Sequence, residues 1–564
     1  MEEVRKIILH LGFALIHHKI MGNCFKLNDI LIWLPVKNEQ NENVDSMAVE
    51  TEGSAYFEKF KKVCLNRGSR AAVIYGGQVF SYSKLLGFVE SFSSGLKKLF
   101  PIKKGGRIMI SLPPGLPYII SLLSMSRVGN IAIPLEPYVS EKTFLDTLSK
   151  INPSGIIASD GILNHYGKNI SSEIFKIAVP KNSFISPRNR SKFSPGTPEI
   201  MNEGKKDGTN LFESLCYSEV TSPESIDPII DIFIERLFKR DGQNSEIIGF
   251  TYECIDNSIN FEESLFKGLE KNTKILSSCE TYSVPAIVTC ILLPLLKGYS
   301  VIIDSMENQK AIIKSTKWYN PEIIISENYL EENISAILKS GKEFHPKHLI
   351  MVQKKRNNEQ ILEIYNILKT RVAGVRLDER CGTPITVLES IEIKPDIQRD
   401  GRIFPGLILK KTNEEDKGSF LSVSGKQIAT SEENLDSPEN SQNDNSFLIQ
   451  GLLPNENDVF IEDEIYKQDA TKTYLNDFSG EIENELSRVM KDISAVLLSV
   501  ESGISIKNIL LIEGTSPKVW ESKISEVMNY SFPRYIRKSE IQFVASIPRS
   551  MSGRPVLNLI FKEL

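Results

Sequence analysis

Residues 103–137 read KKGGRIMISLPPGLPYIISLLSMSRVGNIAIPLEP, and this stretch decides the fold. Gly105-Gly106 is a turn signal, and Arg107 to Leu112 is a short β-rich run. Pro113-Pro114-Gly115 breaks that strand, and Pro117 suits the first turn of a helix. Tyr118, Ile119, Leu122, Leu123 and Met125 give the helix an apolar face, and Gly129 is placed to end it. Ile131 to Pro134 is a second strand, so the unit is strand–helix–strand. A crossover of this size joins parallel strands and predicts an α/β sheet.

The flanks extend the pattern. Upstream, Ala72 to Tyr75, Gly76-Gly77 and Val79 to Tyr82 spell a hairpin. Ser81 can cap a helix whose apolar positions Leu85, Val89, Phe92, Leu96 and Leu99 fall three and four apart. Downstream, a helix over Lys142 to Lys150 and a strand over Gly155 to Ser159 follow. Residues 181–226 and 426–446 are polar with little periodicity and are expected to be mobile surface loops. Between them lie strands at Ile247 to Thr251, Ser300 to Asp304, Glu322 to Ser326 and His348 to Val352, with an apolar helix from Ile287 to Leu296. From Asp469 a smaller module alternates helix and strand: Glu481–Met490, Ile493–Val500, Lys507–Ile512, Pro517–Tyr530 and Glu540–Ala545.

Composition sets bounds. The chain has 564 residues, 41% of them hydrophobic, enough for more than one core. A formal net charge of −5 argues against a general nucleic-acid binder. The seven cysteines form no CxxC pair, so reduced thiols in a cytoplasmic protein are the expectation. The apolar run Ile7 to Ile16 is half the length of a membrane span, and the acidic residues before it do not suit a signal peptide. His10, His17 and His18 have no ligand partners at metal spacing.

The stretch around Pro113-Pro114-Gly115-Leu116 resembles the early core of the adenylate-forming superfamily of acyl-CoA synthetases, fatty acyl-AMP ligases and peptide-synthetase adenylation domains. Further matches run from about Ala71 to the C-terminus, including Gly418 to Gly425. The resemblance implies an α/β fold with a large multi-sheet N-terminal adenylation-type domain and a small α+β C-terminal lid domain. It divides the chain into an extension (1–55), a large domain (56–466) and a lid (467–564).

The same resemblance says where nucleotide chemistry belongs. The family's glycine-rich phosphate loop matches Thr251 to Ile259, where Thr251 alone fits; Glu253 and Asp256 replace glycines and Ile259 replaces the lysine. Carboxylates beside a triphosphate repel it. The family's histidine position carries Ser283. The motif whose glutamate contacts magnesium matches Cys381-Gly382-Thr383-Pro384-Ile385, and Ile385 offers a hard cation no oxygen. The ribose aspartate becomes Leu452, the hinge keeps only Lys467, and Arg554 stands at the catalytic lysine of the lid. Arg554 can equally be a solvated surface charge.

Thr251, Gly382 and Thr383 are the candidate nucleotide-binding residues, Arg554 is the catalytic candidate, and no metal is expected. Three readings follow: a pseudoenzyme scaffold binding a protein or acyl partner without cofactor, a divergent active ligase using ATP and magnesium, and a non-catalytic acyl-chain binder.

Overall fold

The structure is a computed structural model that describes residues 55–547 with breaks, the longer ones at 186–210, 221–231, 327–344, 432–445 and 462–471. The chain divides into Met1–Glu50, which with its three histidines lies outside the described residues, and Thr51–Leu564, which holds every element below.

The hairpin is present as β1 (Ala71–Tyr75) and β2 (Gln78–Ser81). Gly76 and Gly77 turn it at φ 57° and 73°, the left-handed values a tight hairpin needs at both central positions. The Ser81 hydroxyl accepts the Lys84 N–H and caps α1 (Tyr82–Leu99). Leu85, Val89, Phe92 and Leu96 are buried as their spacing predicts, whereas Leu99 is 52% exposed: the stripe outruns its packing partner by one turn.

The central unit follows as β3 (Arg107–Ser111), α2 (Leu116–Val128) and β4 (Ile131–Pro134). Gly129, at φ 70°, ends α2, and β3 pairs with β4 in parallel with Ile108 opposite Ala132. All thirteen residues of α2 are buried, so the helix is apolar all round because protein surrounds it. The strands β5 (Gly155–Ser159) and β6 (Phe175–Val179) add in parallel beyond β3. On the far side lie β7 (Ile232–Arg240) and β8 (Asn244–Thr251), an antiparallel pair beside β4.

Residues 181–226 are not wholly a surface excursion. Ile185 is buried, and the helix Leu211–Leu215 places Phe212 at 0% exposure, 4.6 Å ring to ring from Phe92 of α1.

After β8 comes α3 (Tyr252–Glu262), then β9 (Lys274–Ser278). The predicted apolar helix runs as Val284–Ile287, a π turn at Val288–Leu292, and Leu293–Lys297. Pro294 accounts for the π turn: it has no N–H to donate and its ring crowds the carbonyl one turn back. The main sheet then receives β10 (Ser300–Ile303), β11 (Ile323–Ser326), β12 (His348–Gln353), β13 (Arg371–Arg376), β14 (Thr386–Glu389) and β15 (Arg399–Ile403), with α4 (Asn358–Leu368) crossing from β12 to β13.

A three-stranded sheet holds β16 (Ile408–Glu414), β17 (Gly418–Ser424) and, after β18 (Thr430–Ser431), β19 (Ser446–Gln450). The pair β20 (Leu452–Asn455) and β21 (Asp458–Ile461) completes the main sheet in the order β2-β1-β10-β9-β11-β12-β13-β14-β15-β21-β20. The second large sheet is β18-β8-β7-β4-β3-β5-β6. One hydrophobic cluster, with Val73 and Ile275 from the first sheet, Ile110 and Ile234 from the second and α2 among them, fills the layer these sheets share.

The smaller C-terminal region is a separate α+β sheet of β22 (Lys472–Leu475), β23 (Ala495–Ser502), β24 (Ser505–Glu513) and β25 (Glu540–Val544). The helices α5 (Ser479–Val489) and α6 (Lys518–Ser531) flank it, and Ile482, Leu486, Leu510 and Ile524 form its own core. The proposed boundary between 466 and 467 falls outside the described residues.

Candidate functional site

The strand β8 runs directly into α3, so the residues matched to the phosphate loop are a helix. Thr251 is its N-cap, and its hydroxyl accepts the Cys254 N–H at 3.0 Å. That bond satisfies one of the orphan donors at a helix start that would otherwise be open to an anion. Glu253 points to solvent with Lys426 3.9 Å away, and Asp256 pairs with Lys59 at 2.7 Å. Ile259, at the lysine position, is buried in the shared core. A second junction after a strand exists between β7 and β8, where the pairing of Arg240 with Asn244 leaves three residues. Neither place has room for a nine-residue glycine-rich loop.

The segment matched to the magnesium motif is packed against α3. Gly382 donates its N–H to the Gln427 carbonyl at 2.7 Å, and a Cβ on Gly382 would stand 2.2 Å from the Ser258 hydroxyl. Thr383 and Ile385 are fully buried, and Ile385 belongs to the shared core. Burial pushes the Cys381 thiol up to about 12, with the Thr383 hydroxyl at 3.4 Å opposing the shift. This thiol stays protonated and is no nucleophile.

The start of the presumed loop 426–446 closes the region and is ordered by it. Ala429 donates to the Arg380 carbonyl, Cys381 and Ile428 form a β-bridge, and Thr430 of β18 pairs with Gly249 of β8. Gln427 and Ile428 are accordingly buried, against the expectation of a mobile surface segment. Arg380 fixes the turn before Cys381 through two 2.8 Å bonds to Asp378, with its guanidinium 4.1 Å from the Phe447 ring.

Of the candidate residues, Thr251 caps α3, Gly382 packs against Ser258 of that helix and Thr383 is buried beside Cys381, so each is spent or buried. Ser283 begins the apolar helix as its N-cap. Leu452 opens β20 opposite Ile461. Lys467 and Arg554 lie outside the described residues. Sequence matching passed over Ser258 and Gln427, which occupy the space, and Glu262, which is buried at the end of α3. A signal for this helix was present: a threonine cap followed by Cys254, Ile255, Ser258, Ile259 and Glu262 at helical spacing.

Residues 60–205 match the family model of AMP-binding enzymes. A long-chain-fatty-acid–CoA ligase of Yersinia pestis is 25% identical over 126 residues, and the match spans 22% of each protein, well under the length of that relative. The AMP-binding fold itself extends over most of the chain. An anthranilate CoA ligase in complex with anthranoyl-AMP superposes with a TM-score of 0.61 at 10% identity, covering 91% of this chain and 97% of that one. An o-succinylbenzoate CoA synthetase from Bacillus subtilis gives 0.60 at 12% identity, covering 89% and 98%. A Mycobacterium tuberculosis fatty acyl CoA synthetase gives 0.58 at 12% identity, covering 90% and 97%. Among the described residues, no helix is long and apolar enough to cross a membrane.

Proposed function

We propose that this chain is a binding scaffold on the AMP-binding fold that has lost ATP-dependent carboxylate adenylation. The observation that carries the proposal is the packing of Gly382 against Ser258 of α3, with Thr383 and Ile385 buried in the same segment. Adenylation requires a loop of free N–H groups for the phosphates and an oxygen ligand for magnesium. Here a helix cap uses the first and a buried isoleucine occupies the position of the second. A glutamate introduced at Ile385 would lie in an apolar core, where an ionised carboxylate is strongly disfavoured. Arg554 in the C-terminal region keeps a positive charge at the lysine position but cannot supply either missing part. The ligand of the scaffold, in this reading, is an acyl chain or a protein partner.

The test is calorimetry with Mg-ATP on the purified full chain, paired with pyrophosphate release on fatty acids from short to long. The expected result is no ATP binding at millimolar nucleotide and no release, unchanged in Arg554→Lys and Arg554→Ala. A micromolar dissociation constant, or turnover that Arg554→Ala abolishes, would establish the divergent ligase instead.

A further inference from the structure

At one end of the main sheet the surface folds into a cavity of about 480 Å³, within the range of small-molecule sites. It lies away from the nucleotide region. Arg371, which lines it, opens β13, whereas Cys381 to Ile385 follow the carboxyl end of the same strand. Five residue intervals at about 3.3 Å set the strand ends roughly 16 Å apart. Nucleotides in open α/β sheets bind beyond carboxyl ends, so this amino-end cavity is a different place.

One wall is apolar: Tyr365 of α4, and Ile391, which is 82% exposed. The rest carries Lys369, Arg371 and Arg402 against Glu389 and Glu392. Both carboxylates are committed. Glu389 accepts Arg371 Nε at 3.0 Å and Nη2 at 2.6 Å. Glu392 accepts Arg402 Nε at 2.8 Å and the Glu389 N–H at 3.1 Å, within a reciprocal capping box over residues 389–392. The turn beneath the cavity is thereby fixed before any ligand arrives.

Three cations face two carboxylates, so one positive charge remains. Lys369 carries it, with Nζ 3.2 Å from Asn366 Oδ1 and 5.7 Å from the centroid of the Tyr365 ring. Its backbone is left-handed, at φ 52°, just past the end of α4, which sets the direction in which the chain turns into β13. His348, paired in register with Arg371, adds no charge at neutral pH: burial and then Arg371 push it down to about 4.

We infer that this cavity binds a small organic monoanion with an apolar body, its carboxylate held by Lys369 and Arg402 and its body laid on Tyr365 and Ile391. Arg402 has guanidinium donors beyond the Nε used by Glu392, and a carboxylate can take them together with the Lys369 ammonium. The aromatic and aliphatic wall selects against a bare inorganic anion. Nothing in this site requires the nucleotide region to be open or closed.

Isothermal titration calorimetry on the full chain with benzoate, octanoate and inorganic phosphate tests it. Benzoate and octanoate are expected to bind, and phosphate to bind more weakly than either. Lys369→Glu, which turns the net charge of the cavity negative, is expected to weaken benzoate about tenfold, or about 1.4 kcal/mol. Tyr365→Ala is expected to weaken benzoate while sparing phosphate. Circular dichroism establishes that each variant is folded, and Lys369→Gln serves as the milder charge removal. No binding of either acid, phosphate bound as tightly as benzoate, or benzoate binding untouched by both Lys369→Gln and Tyr365→Ala overturns the inference.

Discussion

Replacing Glu262 by glutamine should make the protein more stable, and increasingly so as pH rises. Glu262 ends α3 with no solvent exposure, and neither carboxylate oxygen has a hydrogen-bond partner. Burial pushes its pKa well above the carboxylate range; the nearby Thr289 hydroxyl opposes this weakly, and the Cys290 thiol adds to it. Thr289 is itself committed, donating to the Pro285 carbonyl at 2.7 Å. In the unfolded chain the same group titrates near 4.3. Above that pH the folded chain holds a proton that the unfolded chain has lost, so unfolding is favoured progressively. For one proton the slope reaches about 1.4 kcal/mol per pH unit and persists up to the folded pKa. Glutamine keeps the shape and removes the titration. Urea unfolding of wild type and Glu262→Gln, from about pH 5 to about pH 8, should show a gap that is small at the acid end. It should widen as pH rises, at up to about 1.4 kcal/mol per unit, while the m-values stay equal. Against a total stability of about 5–15 kcal/mol, two units of pH would be conspicuous. A gap that stays constant over the whole range would refute the assignment of a neutral, buried Glu262.

Two further substitutions probe the same regions. Gly382→Ala should cost about 1–3 kcal/mol, because its Cβ meets Ser258 Oγ at 2.2 Å, and adding Ser258→Ala should recover most of it; a neutral Gly382→Ala in thermal or urea unfolding would mean that the segment is not packed on α3. His348 is buried with Nε2 unpartnered and is pushed down to about 4, so the unfolded chain takes up its proton first as pH falls. Stability should therefore be lost between about pH 6.5 and about pH 4, by about 3 kcal/mol, in wild type but not in His348→Leu. Parallel acid curves for the two proteins would sink this account.

The parts of the fold that could be read from sequence are those whose cause is local. Gly76-Gly77, Ser81, Pro117 and Gly129 act within a few residues, and the hairpin, the cap and the strand–helix–strand unit stand where these residues put them. The strand β7 was not legible, because its sequence IFIERLFKR interrupts the apolar pattern with Glu235 and Arg236. Glu235 is nonetheless 1% exposed, since Arg107 reaches it at 2.7 Å from a position 128 residues earlier. No local rule reports such a partner. The candidate site failed in the opposite way: the local helix signal beginning at Thr251 was sound, and matching to a remote loop displaced it. Ser258 and Gln427 could not be found at all from sequence, because what they do is fill a space made by segments more than a hundred residues apart.

The hairpin that opens the main sheet also sets a timetable for the newborn chain. Beyond β2, the partner of β1 is β10: the Ser300 hydroxyl donates to the Ala71 carbonyl, 229 residues away in sequence. A ribosome adding about 5–20 residues per second needs roughly 10 to 50 s to supply that strand. In the same interval β3, α2, β4, β5 and β6, all within residues 107–179, emerge together and can pair among themselves. Four strands of the second large sheet can thus pair early, while β1 waits with one bare edge and an apolar Val73-Ile74 pair uncovered. Such an edge invites pairing with a neighbouring nascent chain. Yield in the cell should accordingly depend on translation speed between residues 180 and 300 and on chaperone supply during that wait.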